Sequence, residues 1–386
     1  MAYLLFNTSF KNRGDGLMNL AIESHYPNST RWAVPASLAA RSPEVFGEYA
    51  LYPDRYENAG SAKNRILNST ALMARLGAKC IPVSLRSKTP IVLERDIKAA
   101  FDVSGYSYGD FWGQERVEAA SRQYRRLKEA GVKIILMPKT WGPFKEIDPA
   151  AVKKMFDYVD IGFARDDISL QNLREILDTS AISRLHFAPD YTHEIDVSPS
   201  TEPGKHVYLI PNSRVIDSET AAADSYLQLF TSLRSKIKKR GFEARLLIHE
   251  LSNDRAFISK AGAMGFEDQQ VEIAESALDA KRRIAGSRGV LTSRLHGLYN
   301  ALNTQIPVIV VGWNFKYQAA LEKYNVSGWT LETHANDSEQ DEALDKILDE
   351  QSVSEFRKFV SKGKKASAEE TAVMWCKIDA VLSSNE

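Results

Sequence analysis

The stretch Ser293-Arg294-Leu295-His296-Gly297 holds the residue types in this chain best suited to chemistry. It follows a short apolar run, Gly289-Val290-Leu291-Thr292, and precedes apolar residues at helical spacing (Leu298, Ala301, Leu302) that end before Pro307. The pattern predicts a strand that delivers an arginine, a histidine and a glycine to the start of a helix. A helix N-terminus offers unpaired N–H groups and a positive dipole end, and so binds anions. Arg294 adds a forked, permanently charged donor for phosphate or carboxylate. His296 exchanges a proton near neutral pH. The blander alternative is a surface-paired arginine and a satisfied core imidazole. The strand end, the glycine and a second apolar strand after Pro307 favour the anion-and-proton site.

Other polar residues gather at similar positions. Asn12-Arg13-Gly14-Asp15 follows a first strand predicted over Tyr3–Thr8 and precedes a helix over Leu17–Glu23. Gly14 permits close backbone approach, and Asp15 either caps the helix or binds a sugar hydroxyl. Pro138-Lys139-Thr140-Trp141-Gly142-Pro143 closes another strand, with Trp141 set either against a sugar ring or into the core. Arg165 ends a strand where an anion would lie, while Asp166 or Asp167 reads as a helix N-cap. Asp190, Asn212 and the pair His249-Glu250 also follow predicted strands, and Lys316 follows the strand Val308–Gly312. Lys316 is either a second cation for the anion site or a solvated lysine.

The elements that must position these residues alternate between strand and helix patterns, the mark of a doubly wound α/β architecture. Strands are predicted at Cys80–Leu85, Val132–Pro138, Asp160–Arg165 and Leu185–Pro189, with a helix over Glu115–Ala130. A second set runs through Val207–Pro211, a helix over Ala221–Arg240, Ala244–Ile248, Val271–Ala274, Gly289–Ser293 and Val308–Gly312. Residues Glu332 to Gln340 read as a polar loop. The chain of 386 residues is too long for one compact core. The division predicted is an N-terminal α/β domain over 1–195, a linker at 196–205 rich in proline and glycine, a C-terminal α/β domain over 206–350 and a helical tail over 351–386.

Fifty basic and fifty acidic residues cancel, so no global field recruits nucleic acid or an anionic membrane surface. Cys80 and Cys376 stand far apart, without metal-ligand partners beside them, which predicts no metal site and a reducing compartment. The apolar run at the N-terminus is shorter than a signal-peptide core, and no apolar stretch is long enough to span a bilayer; the expectation is a cytoplasmic protein. Dinucleotide-binding, Walker, nucleophile-elbow and His-Glu-x-x-His motifs are all absent.

Together these stations resemble the polysaccharide pyruvyl transferase family. The residues that carry the resemblance are Asn12-x-Gly14-Asp15, Gly142-Pro143, Arg165-Asp166-x-x-Ser169, Pro189-Asp190, Ser293 to Gly297, Ile306-Pro307-Val308-Ile309 and Lys316. The chain departs from the family pattern at Lys139, where a glutamine is common, and at Trp313-Asn314-Phe315. The resemblance implies a glycosyltransferase-B type architecture, two Rossmann-like domains facing across a cleft. It implies transfer of the pyruvyl unit of phosphoenolpyruvate to two hydroxyls of a sugar as a cyclic ketal, with release of phosphate. Phosphoenolpyruvate is then the donor substrate, with no separate cofactor. The acceptor is a saccharide in a nucleotide-linked, lipid-linked or finished glycan, and a lipid-linked one would bring the protein to the inner face of the membrane. Catalysis falls to His296, Arg294 and Arg165, and donor binding to Arg165, Arg294, Gly297 and Lys316. Acceptor binding falls to Asn12, Gly14, Asp15, Trp141, Asp190, Asn212 and His249. Arg165 and Arg294 are expected to converge on one anion. Two other readings stand beside this one: a glycosyltransferase using a nucleotide sugar, and a non-catalytic carbohydrate-binding relative.

Overall fold

The computed structural model describes residues 2–26, 31–42, 45, 47–54, 73, 76–77, 80–81, 89–197, 204–216, 220–312 and 315–384. The chain divides into two compact units. The first comprises Met1–Phe10, Met18–Asp190 and Glu370–Glu386; the second comprises Lys11–Leu17 and Tyr191–Glu369. The predicted linker lies beyond the Asp190/Tyr191 division, and its residues 198–203 fall outside the described ones.

The first unit carries an all-parallel sheet of β1 (Ala2–Phe6), β2 (Arg31–Pro35), β3 (Ala50–Tyr52), β4 (Ile97–Asp102), β5 (Lys133–Lys139), β6 (Ile161–Ala164) and β7 (Leu185–Phe187). Their order is β3-β2-β1-β4-β5-β6-β7. The second unit carries β8 (His206–Ile210), β9 (Glu243–Ile248), β10 (Val271–Ile273), β11 (Gly289–Thr292), β12 (Val308–Val311) and β13 (Thr330–Leu331), in the order β10-β9-β8-β11-β12-β13. Each order reverses direction beside its first strand, which is the doubly wound pattern.

The strands are continuous apolar runs because parallel sheets are covered on both faces. In the second unit Leu209, Leu246, Leu291 and Ile309 pack into one core cluster, while Tyr208, Leu247, Val290 and Val308 pack into another. Successive side chains thus serve opposite faces of one sheet, as the two-residue period of a strand requires. The predicted strands of the second unit all appear, whereas β2, β3 and β4 escape a reading by apolar runs. The sequence of β4, Ile-Lys-Ala-Ala-Phe-Asp, is alanine-rich, yet nearly all of it is buried. Of the strand expected at Cys80–Leu85, residues 82–85 lie outside those described.

Two helices start earlier than their apolar patterns suggest. Helix α1 (Arg13–His25) begins inside the loop expected at Lys11–Gly16. Helix α2 (Gln114–Glu129) matches its expectation. The polar stretch Glu332–Gln340 gives way at Asp337 to a helix running to Leu348, capped by Asn336 and Glu339, whose side chains each accept from the other residue's backbone N–H. Polar first turns hide such starts from an apolar count.

A charge network fills the carboxyl end of the first sheet. Asp102 closes β4 and Lys139 closes β5, and both are fully buried and paired. Asp102 also accepts from Asn7 Nδ2 at 2.8 Å, Tyr108 Oη at 2.6 Å, Ser104 Oγ at 2.6 Å and the Tyr124 hydroxyl. Burial alone would raise the carboxyl pKa, but Lys139 and the hydroxyls of Ser104 and Tyr108 hold it down at about 2. Burial pushes the Lys139 ammonium down to about 8, against the pull of Asp102. Both groups therefore stay ionised at neutral pH.

Candidate functional site

The helices that follow are α3 (Asp167–Ile176) in the first unit and α4 (Thr220–Lys239), α5 (Leu251–Lys260), α6 (Ala277–Ala285) and α7 (Leu295–Asn303) in the second, where β11 feeds α7. The predicted strand-to-helix junction at Ser293–Gly297 is thus present. Arg294 is the N-cap residue of α7, in extended conformation, and its side chain does not cap the helix. Its N–H donates to Thr292 Oγ1 at 3.0 Å. Gly297 lies against the same residue: a Cβ there would sit 2.5 Å from Thr292 Oγ1, so glycine lets α7 approach β11 closely.

Arg294 is not an open cation. Its Nη1 donates to Glu250 Oε2 at 2.6 Å and its Nη2 to Asp254, a carboxylate in the first turns of α5. The Ser213 N–H donates to that same Asp254 at 3.1 Å. The guanidinium therefore ties the β11–α7 junction to the start of α5, with its charge shared by two carboxylates. Asp254 gave no signal in the sequence, because its role depends on strand order. Replacing Arg294 by lysine, which cannot reach both carboxylates in one plane, should cost about 1.5–3 kcal/mol of stability, the scale of one charged hydrogen bond. Equal denaturation midpoints for Arg294→Lys and the parent would show the two-point clamp to be unimportant.

Ser293 anchors the junction from the other side. Its Oγ donates to the Val311 carbonyl and accepts from Tyr226 Oη, both at 2.8 Å. Its carbonyl accepts from Asn212 Nδ2 at 2.9 Å and from Tyr317 Oη at 2.5 Å. Asn212, expected to bind the acceptor, thus supports the turn. Lys316 sits half-buried in the first turn of the helix Phe315–Lys323, and Asn314 lies outside the described residues.

His249 follows β9 and is 2% exposed, with its Nε2 buried and without a hydrogen-bond partner among the described residues. Burial, then the charges of Arg294, His296 and Arg13, hold its pKa well below the ordinary imidazole value. It is a neutral imidazole beneath the junction, with no surface for the sugar contact expected of it. A histidine whose folded pKa is depressed contributes stability above the unfolded value near 6.5, lost as the pH falls through it. The His249 ring should therefore show no titration between pH 6 and 8 by NMR, and stability should decline below about pH 6.5. A His249 midpoint above 6 would contradict this placement.

The turn that opens α1 belongs to the same unit. Asn12 Oδ1 accepts from the Gly14 N–H at 3.0 Å, so Asn12 serves as the cap and Asp15 lies within the first turn. Arg13 donates through Nε at 3.1 Å and Nη2 at 2.6 Å to the Ala274 carbonyl. Gly14 rests against the ring of His296. The sequence motif containing Gly14 and the motif containing His296 are therefore one structural feature.

The first unit gathers the remaining candidates. Arg165 is 6% exposed; its Nη2 donates to Thr140 Oγ1 at 2.8 Å and to the Gly105 carbonyl at 3.3 Å, and its Nη1 lies 3.5 Å from Asp190 Oδ2. Asp190, expected to contact the acceptor, is buried in that ion pair. Asp166 caps α3, accepting from the Ser169 N–H at 2.7 Å, as its position after a strand predicts. Trp141 corrects an expectation: it is fully buried, stacked on Tyr108 with ring centroids 5.2 Å apart, and its Nε1 donates to the Phe163 carbonyl. An indole so enclosed has no face for a sugar. Lys139 stands in the buried network described above.

Among the described residues no three or more His, Cys, Asp or Glu side chains are grouped to hold a metal ion, and no helix is long and apolar enough to cross a membrane.

Two parallel α/β units with polar residues at the strand ends define the glycosyltransferase-B type of architecture. Solved structures with this fold include UDP-GlcNAc 2-epimerase from Neisseria meningitidis, bound to UDP-GlcNAc, at 10% identity, TM-score 0.52, and coverage of 96% of this chain and 100% of that one. Anabaena Alr3699/HepE, solved with UDP and glucose, matches at 11% identity and TM-score 0.56, with 100% of both chains covered. A putative UDP-N-acetylglucosamine 2-epimerase from Listeria monocytogenes matches at 12% identity and TM-score 0.52, covering 100% of this chain and 97% of that one. No curated protein matches the sequence. The model of the polysaccharide pyruvyl transferase family matches residues 12–314, and the chain belongs to that family.

Proposed function

We propose that the protein transfers the pyruvyl unit of phosphoenolpyruvate to two hydroxyls of a saccharide, forming a cyclic ketal and releasing phosphate. The observation that carries this reading is the junction at Ser293–Gly297: a helix start without a side-chain cap and with His296 in its first turn, inside a chain of this family. The donor anion would meet the N–H groups of that turn. Arg13 and Lys316 are the cations this reading assigns to carboxylate and phosphate, with Arg294 holding the turn in place.

His296, as imidazolium, gives a proton to the methylene carbon, which becomes the methyl group of the product. One sugar oxygen bonds to the central carbon and its proton returns to the imidazole. The second oxygen bonds there as the carbon–oxygen bond to phosphate breaks, and phosphate leaves with the second hydroxyl proton. An anion beside His296 favours its charged form.

The test is phosphate release from phosphoenolpyruvate in the presence of nucleotide-linked, lipid-linked and free glycan acceptors, together with a matching mass gain on one of them. Turnover of a nucleotide sugar without phosphoenolpyruvate would replace this reading with that of a glycosyltransferase. Saccharide binding with no turnover of either donor would replace it with that of a non-catalytic relative.

A further inference from the structure

We propose that Gly14 is a positioning residue for His296: the missing side chain at position 14 is the seat of the imidazole. A Cβ built on Gly14 would fall on the His296 ring, and its three nearest neighbours are all atoms of that ring, Nδ1, Cγ and Cε1. All three would be far inside any real contact distance. Gly14 lies in the first turn of α1 and is not among the positive-φ glycines, so its backbone conformation does not itself require glycine. The ring is what forbids a side chain.

Relief by shifting the turn is blocked on both sides of Gly14. Arg13 is fastened to the Ala274 carbonyl by two donors. Gly16 packs so closely on α6 that a Cβ there would be 2.9 Å from Ala277 Cβ. Asn12 adds a third restraint through the Gly14 N–H. With the turn held at these points, a methyl group at position 14 must displace the imidazole. His296 is itself carried on α7, whose third to ninth residues are buried, so the ring rather than the helix moves. A proton-transfer group needs its reacting atom placed to within a fraction of an ångström, and a displacement of about 1 Å can cost 10²-fold in rate. The segment from Asn12 to Gly14 is thereby assigned to the proton-transfer site rather than to the acceptor.

The kinetic consequence rests on the function proposed above; the placement of the ring does not. Gly14→Ala, His296→Ala and the double variant should be compared in the full chain. Gly14→Ala should lower kcat by roughly 10²-fold, approaching His296→Ala, with KM for phosphoenolpyruvate changed by less than about threefold. Adding Gly14→Ala to His296→Ala should cost nothing more, because the ring that the methyl displaces is gone. Independent losses that multiply in the double variant would overturn the proposal, as would parental turnover in Gly14→Ala. The His296 ring signal, assigned by its loss in His296→Ala, should also move in the NMR spectrum of Gly14→Ala; an unmoved signal would overturn the proposal whether or not phosphoenolpyruvate is the donor. If Gly14→Ala fails to fold, the double variant should fold, since its cavity accepts the methyl. Failure of both to fold would place the need for glycine elsewhere and overturn the assignment.

Discussion

His296→Gln is expected to fold like the parent and to lose turnover by roughly 10²-fold or more, within the usual range for a group that transfers protons. Glutamine retains a polar side chain of similar reach but neither gives nor takes a proton at neutral pH. Affinity for phosphoenolpyruvate should change little, because the N–H groups of the α7 first turn and the neighbouring cations are untouched. Single-turnover measurements at saturating donor separate the two effects. Near-parental turnover in His296→Gln would assign the proton to another residue. His249 is a poor substitute, since burial and the surrounding positive charges keep it neutral.

Lys139→Met is expected to destabilise the protein by about 3–5 kcal/mol, the scale for removing one partner of a buried ion pair. Asp102 would remain fully buried with its charge uncompensated, because the hydroxyls of Tyr108, Tyr124 and Ser104 and the Asn7 amide supply dipoles but no cation. The double variant Lys139→Met/Asp102→Asn removes both charges and should recover much of the loss. Chemical denaturation of the three proteins measures this directly. A Lys139→Met variant within about 1 kcal/mol of the parent would mean that the pair is easily replaced. The acid side follows from the same network. Asp102 has a folded pKa of about 2 against an ordinary value of 3.8. A depressed carboxyl contributes stability above its unfolded value, so that contribution should vanish as the pH falls from near 4 towards 2.

Much of the molecule could be read from the residues in order. Apolar runs such as Val308–Val311 name buried parallel strands because only a sheet covered on both faces tolerates side chains that are apolar in succession. The glycine after the arginine and histidine marks a tight strand-to-helix junction, and the pair Asp166-Asp167 announces a cap that Asp166 provides. These are local facts, set by steric contact and hydrogen bonding within a few residues. Strands β2, β3 and β4 were not legible, since short or alanine-rich strands take their identity from the neighbours they pair with.

The partners of the polar residues were decided by the tertiary structure alone. Nothing near Arg294 in sequence tells that Glu250 and Asp254 will take two of its donors; that follows from β8 lying between β9 and β11. Trp141 and Asp190 are indistinguishable from binding residues until burial shows one stacked in the core and the other paired with Arg165. Gly14 and His296 stand 282 positions apart (296 minus 14), and only folding brings the bare backbone of one against the ring of the other. The order of residues along the chain set which side-chain types were available and which local turns carry them. The structure decided which of them meet, because a charge, a cavity or a steric exclusion acts through space and not along the chain.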